Sequence, residues 1–298
     1  MDFIRSRLIA DRTAATEIIA KDLPVNPLSH LIVTLEGYNA TDEATLAEIL
    51  AFINKIEVLY SSYTVFSLES EDIAALNQYL YKAHPILTAN IATDNATRSL
   101  SLIIPFGRRI FDPNECFPMT KKGELTLYID MTAPATSFDN GIINVETVEL
   151  IGATPKRFLK CSSKTIPAPG ATGDNDIELP TGNDIVALQL RMTTFPTTSS
   201  HTYGIDVVKL LVNNKELGYA MSRAQCLVGD GIFHGAHLPR DIAAFGQILP
   251  PKTIWLDFDP ARDDQFLLKT AGVSSCKLRL TMGVNEASYL STFELVEV

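Results

Sequence analysis

The histidines are the first residues in this chain that could do chemistry. His234-Gly-Ala-His237, followed closely by Asp241 and with His201 farther away, could in principle supply ligands to a metal ion. A metal site on a β-strand would place its histidines two apart, so that both share one face. No such pair occurs here, and two small residues separate His234 from His237. We interpret these residues as ordinary loop histidines.

Two acidic clusters offer the oxygen atoms that Ca²⁺ prefers. The first cluster comprises Asp174, Asp176 and Glu178. The second comprises Asp257, Asp259, Asp263 and Asp264. Neither has the spacing of an EF-hand loop, so the sequence favours solvated loops. A structural calcium ion, or an ion held between subunits, stays open as the alternative.

Motifs of catalysis are missing from the sequence. It contains no glycine-rich phosphate loop, no G-x-S-x-G and no H-E-x-x-H. The cysteines stand singly and far apart, without CxxC or zinc spacing: Cys116, Cys161, Cys226 and Cys276. We predict small buried thiols in a protein made in a reducing compartment. We also predict no catalytic, cofactor-binding or metal-binding residues, and no enzymatic activity.

Charge and composition limit the partners. The net charge of −10 opposes nonspecific nucleic-acid binding, which needs a cationic surface. The hydrophobic content of 46% means that the domains pack closely or that the chain buries surface against other subunits. The sequence contains no run of about 18 apolar residues, the length that a helix needs to span a bilayer. The start, Met1-Asp-Phe-Ile-Arg-Ser-Arg, lacks the apolar stretch of a secretory signal.

Three helices are predicted to accompany the strands. Residues 1–22 place most apolar side chains roughly on one side, and Leu23-Pro24 ends that helix. A second helix is expected at 42–53 and a third at 71–82, with Ser70 as its cap. For the N-terminal segment three interpretations stay open: a helix packed on a barrel base, an arm exchanged with a neighbouring subunit, or an amphipathic helix at a membrane surface.

The rest of the chain reads as short strands, and their pattern repeats after about 153 residues. The paired runs are Leu31–Leu35 with Val186–Leu190, Ile56–Tyr60 with Val208–Val212, Leu100–Phe106 with Ile254–Pro260, Leu125–Ile129 with Leu278–Met282, and Val145–Leu150 with Phe293–Val298. Two tandem copies of one β-domain follow from this repeat. About eight strands in each copy favour a jelly roll over a meander.

The repeat also sets the predicted domain boundaries. We expect an N-terminal helix or arm at 1–27, a first jelly roll at 28–165, a linker at 166–180 and a second jelly roll at 181–298. The linker is placed at the apolar-poor run that follows Pro167. Trp255 has the opposite parity to Ile254 and Phe258, so we expect it to face an interface rather than its own domain's core.

These features resemble the double jelly-roll major capsid proteins of tailless icosahedral viruses, especially the compact form in lipid-containing bacterial viruses. The resemblance covers the whole chain and is architectural, because such proteins share no diagnostic motif. It is carried by the duplication, by the predicted helix that ends at Leu23-Pro24, and by three strand runs with their flanking residues: Leu31–Leu35, Ile56–Tyr60 followed by Ser70–Asn77, and Gly123–Asp130.

The resemblance implies an all-β fold with a few short helices, built as two tandem eight-stranded jelly rolls. It implies a structural protein of the virion, made in the host cytoplasm, that forms pseudo-hexameric homotrimers tiling an icosahedral shell. The partners implied are neighbouring capsid trimers, penton and minor capsid proteins, and an internal membrane where one exists. Neither a cofactor nor direct sequence-specific contact with nucleic acid is implied.

Two alternatives from other classes stay open at this stage. A carbohydrate-binding or adhesion protein built from tandem β-sandwiches should show clustered exposed aromatic residues or a calcium site. A two-jelly-roll glycoamidase, similar to the peptide N-glycosidases, would work through acidic residues between its two domains. Such glycoamidases are normally secreted and contain disulfides, which does not suit four scattered cysteines.

Overall fold

Alternating apolar and polar residues give most strands of this protein one face for a core. In the computed structural model, Leu125, Leu127, Ile129 and Met131 are buried while the residues between them are partly exposed. The structure describes residues 2–40, 44–83, 93–132, 137–196, 200–233 and 252–298. These fall into two compact units. The first holds 2–162 and 297–298, and the second holds 163–296 apart from the undescribed residues.

Among the described residues, the first unit contains eight complete strands. They are β1 (Asp2–Thr13), β2 (Glu17–Asp22), β3 (Leu28–Asn39), β4 (Ile53–Tyr60), β5 (Tyr63–Glu69), β6 (Thr97–Pro105), β7 (Leu125–Met131) and β8 (Phe138–Ile151). One sheet has the order β1-β8-β3-β6, and β5-β4-β7-β2 follow one another in a second, larger sheet. The chain thus alternates between two sheets, except at the β4–β5 hairpin, and this is the strand order of a jelly roll.

The second unit follows the same plan. The strands of this second half are β9 (Arg157–Ile166), β10 (Gly173–Glu178), β11 (Asp184–Met192), β12 (Ile205–Val212), β13 (Lys215–Glu216), β14 (Ser222–Arg223), β15 (Thr253–Asp257), β16 (Leu268–Lys269), β17 (Cys276–Met282) and β18 (Ser288–Glu297). The first six residues of β9 belong to the first unit. Within the nine-stranded sheet, β9-β18-β11-β15 follow one another, with β16 also paired to β11. The other has the order β10-β17-β12-β13, with β14 also paired to β12.

The sequence repeat therefore corresponds to a repeat of strand order. Each of the five predicted run pairs occupies the same place in the two rolls: β3 with β11, β4 with β12, β6 with β15, β7 with β17 and β8 with β18. This confirms the prediction of an all-β chain with two tandem jelly rolls. Side chains from both sheets of the second unit form one core cluster, to which Leu188, Leu210, Ile254 and Leu278 belong.

The helix predicted over residues 1–22 is wrong. Those residues form β1, which pairs antiparallel with β8, and β2, which pairs antiparallel with β7. The register of β1 shifts between Arg7 and Ile9 and again before Arg12. These irregularities allow two consecutive apolar residues, Leu8 and Ile9, within a strand. The apolar spacing of the segment therefore departs from strict alternation and imitates that of a helix. The segment thus supplies the first two strands of the first roll.

Helices occupy short connections. They are α1 (Leu46–Leu50), α2 (Ser70–Tyr81) and α3 (Ala224–Phe233). Thr45 caps α1 through a reciprocal pair of hydrogen bonds with Glu48. The predicted cap of α2 is wrong: the N-cap residue is Glu69, and the hydroxyl of Ser70 donates instead to the carbonyl oxygen of Leu50 at 2.8 Å.

The stretch 166–180, for which the sequence predicts a linker, contains a strand. β10 pairs along its whole length with β17, from Gly173 opposite Met282 to Glu178 opposite Lys277. Its sequence is poor in apolar residues because one face is exposed to solvent and only Ile177 packs against the core cluster. An edge strand needs a single apolar face at most.

Candidate functional site

The first acidic cluster lies on the exposed face of β10. Asp176 accepts two hydrogen bonds from Arg279, at 2.6 and 2.8 Å, and Glu178 forms an ion pair with Lys277 at 2.8 Å. Asp174 accepts a hydrogen bond from the Thr281 hydroxyl. Hydrogen bonding by Arg279 lowers the pKa of Asp176. The three acids thus pair with residues of β17 one by one and do not converge on a common point.

In the second acidic cluster, carboxylates accept hydrogen bonds from backbone N–H groups. Asp259 is fully buried, and one of its carboxylate oxygens accepts hydrogen bonds from the N–H groups of Asp263 and Asp264, at 3.1 and 3.0 Å. Asp257 accepts a hydrogen bond from the N–H of Asp259 at 2.8 Å. These contacts shape the connection that follows β15. The arrangement is that of a carboxylate-stabilised turn.

The predicted histidine site lies mostly outside the described residues, since His234, His237 and Asp241 all fall there. His201 is exposed. His30 is buried and contacts the ring of Phe111 edge-on. Burial lowers the pKa of its imidazole to about 4, and the positive charge of Arg5 acts in the same direction. In the described part of the chain, no group of three or more His, Cys, Asp or Glu side chains could hold a metal ion.

All four cysteines are free thiols. Cys116, Cys161 and Cys276 are buried, as the sequence predicts, whereas Cys226 on α3 is exposed. Burial raises the pKa of Cys116 to about 12 and also raises the pKa of Cys276. Both groups are therefore poor nucleophiles at neutral pH, because the thiolate is the reactive form.

Trp255 lies on the face of its sheet opposite to Ile254 and Leu256, as its parity predicts. Its ring is buried and stacks on Phe293 of β18, with centroids 5.4 Å apart. Both residues belong to the second unit. The predicted role at an interface stays a prediction.

An unpaired sheet edge is the main surface feature of the first unit. β1 ends its sheet, and among the described residues it pairs with β8 alone. From Asp2 to Arg7 the register is unbroken, and Phe3 and Ile4 on this stretch are exposed. A regular edge with exposed apolar side chains is a template for pairing with another chain.

Among the described residues of the second unit, the sheet edge at β13 and β14 has no further strand beside it. β13 and β14 both pair with β12, and they leave residues 217–221 between them without strand structure. Leu217 and Met221 are exposed there. Sequence reasoning missed both edges, because an edge is defined by strand order and not by local pattern.

The edge at β1 and the segment 217–221 both expose apolar side chains, which is typical of contact surfaces and not of catalytic sites. In addition, the described part of the chain contains no helix with the length and hydropathy needed to cross a membrane.

The sequence matches no protein-family model and no curated protein. Its structure, however, is similar to solved viral capsid structures over nearly the whole chain. The major capsid protein of Sulfolobus turreted icosahedral virus superimposes with a TM-score of 0.70 at 14% identity, covering 100% of this chain and 97% of that one. Major capsid protein P2 of bacteriophage PM2 gives 0.65 at 11% identity, covering 99% and 98%.

A PBCV-1 virus capsid structure also matches, with a TM-score of 0.65 at 9% identity, covering 99% of this chain and 93% of that one. Identities this low establish similarity of fold. The full coverage of both chains agrees with the strand orders, which repeat one jelly roll twice. The chain therefore has the double jelly-roll fold found in these major capsid proteins.

Proposed function

We propose that this chain is a major capsid protein, a structural component of an icosahedral virion. The observation that carries the proposal is the repetition of one eight-strand order in both halves of a single chain. Support also comes from structural similarity to major capsid proteins along nearly their full length. The role needs no catalytic residues, and the side chains of the two acidic clusters are engaged in ion pairs and hydrogen bonds within the chain.

The duplication supports a particular assembly. Three copies of a chain with two similar rolls present six similar units around one axis. The resulting trimer has a pseudo-hexagonal outline, which tiles a surface with a single gene product. Closed cyclic symmetry of this kind is common in protein oligomers. Exposed apolar residues on the unpaired edges give such a trimer surface to bury.

The proposed partners are other capsid components. Neighbouring trimers, penton proteins and minor capsid proteins would contact the trimer through its sides. A chain with net charge −10 suits contact with basic proteins or an internal membrane better than direct contact with the genome.

The test is the mass and shape of the purified protein in solution. Light scattering after size exclusion should give a mass near three chains of 32.7 kDa each, and negative-stain images of the same peak should show hexagonal particles. A monomer at every concentration that binds glycans would contradict the proposal and favour the adhesion alternative.

A further inference from the structure

Four connections meet at one end of the first roll. They are the segments that join β2 to β3, β4 to β5, β6 to β7 and β8 to β9, namely 23–27, 61–62, 106–124 and 152–156. Backbone hydrogen bonds tie the other three to 106–124: Thr120 donates to Val25 at 2.9 Å, Ser61 to Glu124 at 2.8 Å and Lys156 to Asn114 at 2.9 Å. All four segments belong to the first unit. We call the surface that they form the basic end, after its exposed charged residues.

Apolar side chains are exposed at the basic end. Met119 is 70% exposed, and Tyr63, beside the turn between β4 and β5, is 77% exposed. Phe111 is also exposed, and its ring contacts the ring of Phe3 edge-on, with centroids 5.4 Å apart. Val25, whose carbonyl oxygen accepts the bond from 106–124, is exposed as well. A group of exposed apolar side chains of this kind marks a surface of contact.

The fold holds Phe111 in its exposed position. Its φ angle is 63°, in the left-handed region that bulky residues rarely adopt. The N–H of Phe111 donates a hydrogen bond to the hydroxyl of Ser29 at 2.7 Å, and its ring contacts the buried ring of His30. Backbone strain persists only where the surrounding structure enforces it, and it is found most often at binding sites. The outward position of Phe111 is therefore fixed before any partner binds.

The exposed charged residues of the four connections are all basic. They are Arg109, Lys121, Lys122 and Lys156, and none of them forms an ion pair with a described residue. The acidic residues are less exposed and bind within the chain: Glu115 to Arg108 and Arg157, Asp112 to the N–H of Asn114, and Glu124 to the N–H of Lys121. Charges are screened over about 8 Å. An anionic surface at this end therefore meets positive charge, although the whole chain carries −10.

The equivalent connection of the second roll has the opposite balance of charge. It spans 258–275, between β15 and β17, and it carries Asp259, Asp263 and Asp264 against Arg262 and Lys269. In 106–124, four basic residues stand against three acidic ones. A jelly roll thus forms this connection with either balance. The exposed cations of the basic end are therefore not a requirement of the fold.

We propose that the basic end of the first roll binds the surface of an anionic lipid bilayer. Arg109, Lys121 and Lys122 contact the headgroup phosphates, while Phe111 and Met119 enter the boundary between headgroups and acyl chains. Each basic side chain near an anionic leaflet strengthens binding roughly fivefold. The inference rests on the proposed function, because it names the surface by which a capsid subunit contacts an internal membrane.

Two features favour lipid over a folded protein as the partner. Lysine is depleted in the cores of protein interfaces, whereas Lys121 and Lys122 closely follow the exposed Met119. At a bilayer these neighbours are compatible, because the apolar side chain enters the interior and the ammonium groups stay among the headgroups. Exposed aromatic side chains, here Tyr63 and Phe111, are typical of the same boundary.

Sedimentation with vesicles tests the charge contribution. The full chain should bind vesicles of phosphatidylcholine and phosphatidylglycerol in equal parts, bind vesicles of phosphatidylcholine alone much more weakly, and lose binding as salt is added. Lys121→Gln combined with Lys122→Gln should lower the partition coefficient by at least about tenfold. Lys215→Gln combined with Lys269→Gln is the control, because it changes the net charge equally through exposed lysines of the second unit. The control should bind as the wild type does.

Tryptophan fluorescence tests the insertion. Met119→Trp places a reporter at the basic end, and Phe266→Trp places one at the equivalent connection of the second roll, where Phe266 is 60% exposed. The single native tryptophan, Trp255, is buried and provides a constant background. With anionic vesicles, the emission of Met119→Trp should shift to shorter wavelength and be quenched by brominated acyl chains. The emission of Phe266→Trp should do neither.

The outcomes separate the lipid contact from the function. A wild-type chain that forms the trimer but binds neither kind of vesicle would overturn the lipid contact and leave the capsid proposal standing. Equal losses in the two lysine pairs, or lysine-dependent binding to a DNA duplex without binding to vesicles, would also overturn it. A chain that is monomeric throughout would overturn the capsid proposal, whichever vesicles it binds. Circular dichroism of each variant verifies that a loss of binding does not reflect unfolding.

Discussion

The hydroxyl of Tyr219 donates a hydrogen bond to the carbonyl oxygen of Asp257, 3.1 Å away, and accepts one from the N–H of the same residue at 3.0 Å. Its ring also contacts Phe258 edge-on, with centroids 5.6 Å apart. Burial raises the pKa of the phenol to about 12, so it keeps its proton at neutral pH. One side chain thus fixes the segment between β13 and β14 to the end of β15.

Replacing Tyr219 with Phe should lower the free energy of unfolding by about 1–3 kcal/mol, because a partly buried N–H and carbonyl lose their shared partner. Chemical denaturation monitored by circular dichroism measures the change. Tyr63→Phe is the control, since Tyr63 is largely exposed at a turn. Equal effects of the two substitutions would show that the paired hydrogen bonds contribute nothing to stability.

Glu115 lies at the centre of a buried ion cluster in the first unit. Its carboxylate accepts hydrogen bonds from the backbone N–H and the guanidinium of Arg108, and its Oε2 accepts one from Arg157 at 3.1 Å. Arg108 and Glu115 are both nearly inaccessible to solvent. Glu115→Gln should destabilise the protein by about 3–5 kcal/mol, because a buried guanidinium loses its charged partner.

A surface ion pair supplies the comparison for this cluster. Asp176→Asn removes the charge that faces Arg279 on the exposed side of β10, and it should cost less than about 1 kcal/mol. Thermal unfolding of both variants beside the wild type measures the difference. A loss for Glu115→Gln no larger than that for Asp176→Asn would show that the buried cluster is not a stabilising feature.

Gly107 lies close to the backbone of Glu115, in the connection between β6 and β7. A Cβ atom at this position would lie 2.1 Å from the carbonyl oxygen of Glu115, and a backbone atom cannot rotate away. Gly107→Ala should therefore destabilise the first unit by about 1–3 kcal/mol. Gly229→Ala on α3, where the added Cβ would meet nothing within 4 Å beyond the adjacent residues and the helix's own backbone, should be neutral or stabilising. Denaturant unfolding of the pair checks both signs.

His30 makes stability depend on pH. Its pKa is about 4 in the folded protein and about 6.5 in an unfolded chain, so the unfolded state binds more protons between these values. Stability should therefore fall as the pH decreases from about 6.5 to about 4, by up to about 3 kcal/mol. His30→Gln should flatten this dependence, and the exposed His201→Gln should not. An unchanged slope in His30→Gln would refute the assignment.

Sequence reasoning succeeded where the two rolls repeat alternating runs, as for Leu125–Ile129 and Leu278–Met282. It failed at the N-terminus, where bulges around Ile9 interrupt the alternation of β1. The offset that relates Leu31 to Val186 also aligns Phe3 with Phe158, a signal that could have revealed β1 as a strand. The edges at β1 and 217–223 could not be predicted, because pairing partners far apart in sequence decide which strands end a sheet.

The pairing of β1 with β8 also has a consequence for synthesis. Asp2 lies opposite Ile151, so β1 leaves the ribosome well before β8, the strand with which it pairs. At translation rates of about 5–20 residues per second, the interval between the synthesis of β1 and that of β8 is roughly 7 to 30 seconds. β2 waits in the same way for β7. Assembly of the first unit during translation is therefore limited by the rate of elongation, and its N-terminal segment emerges long before a sheet exists to receive it.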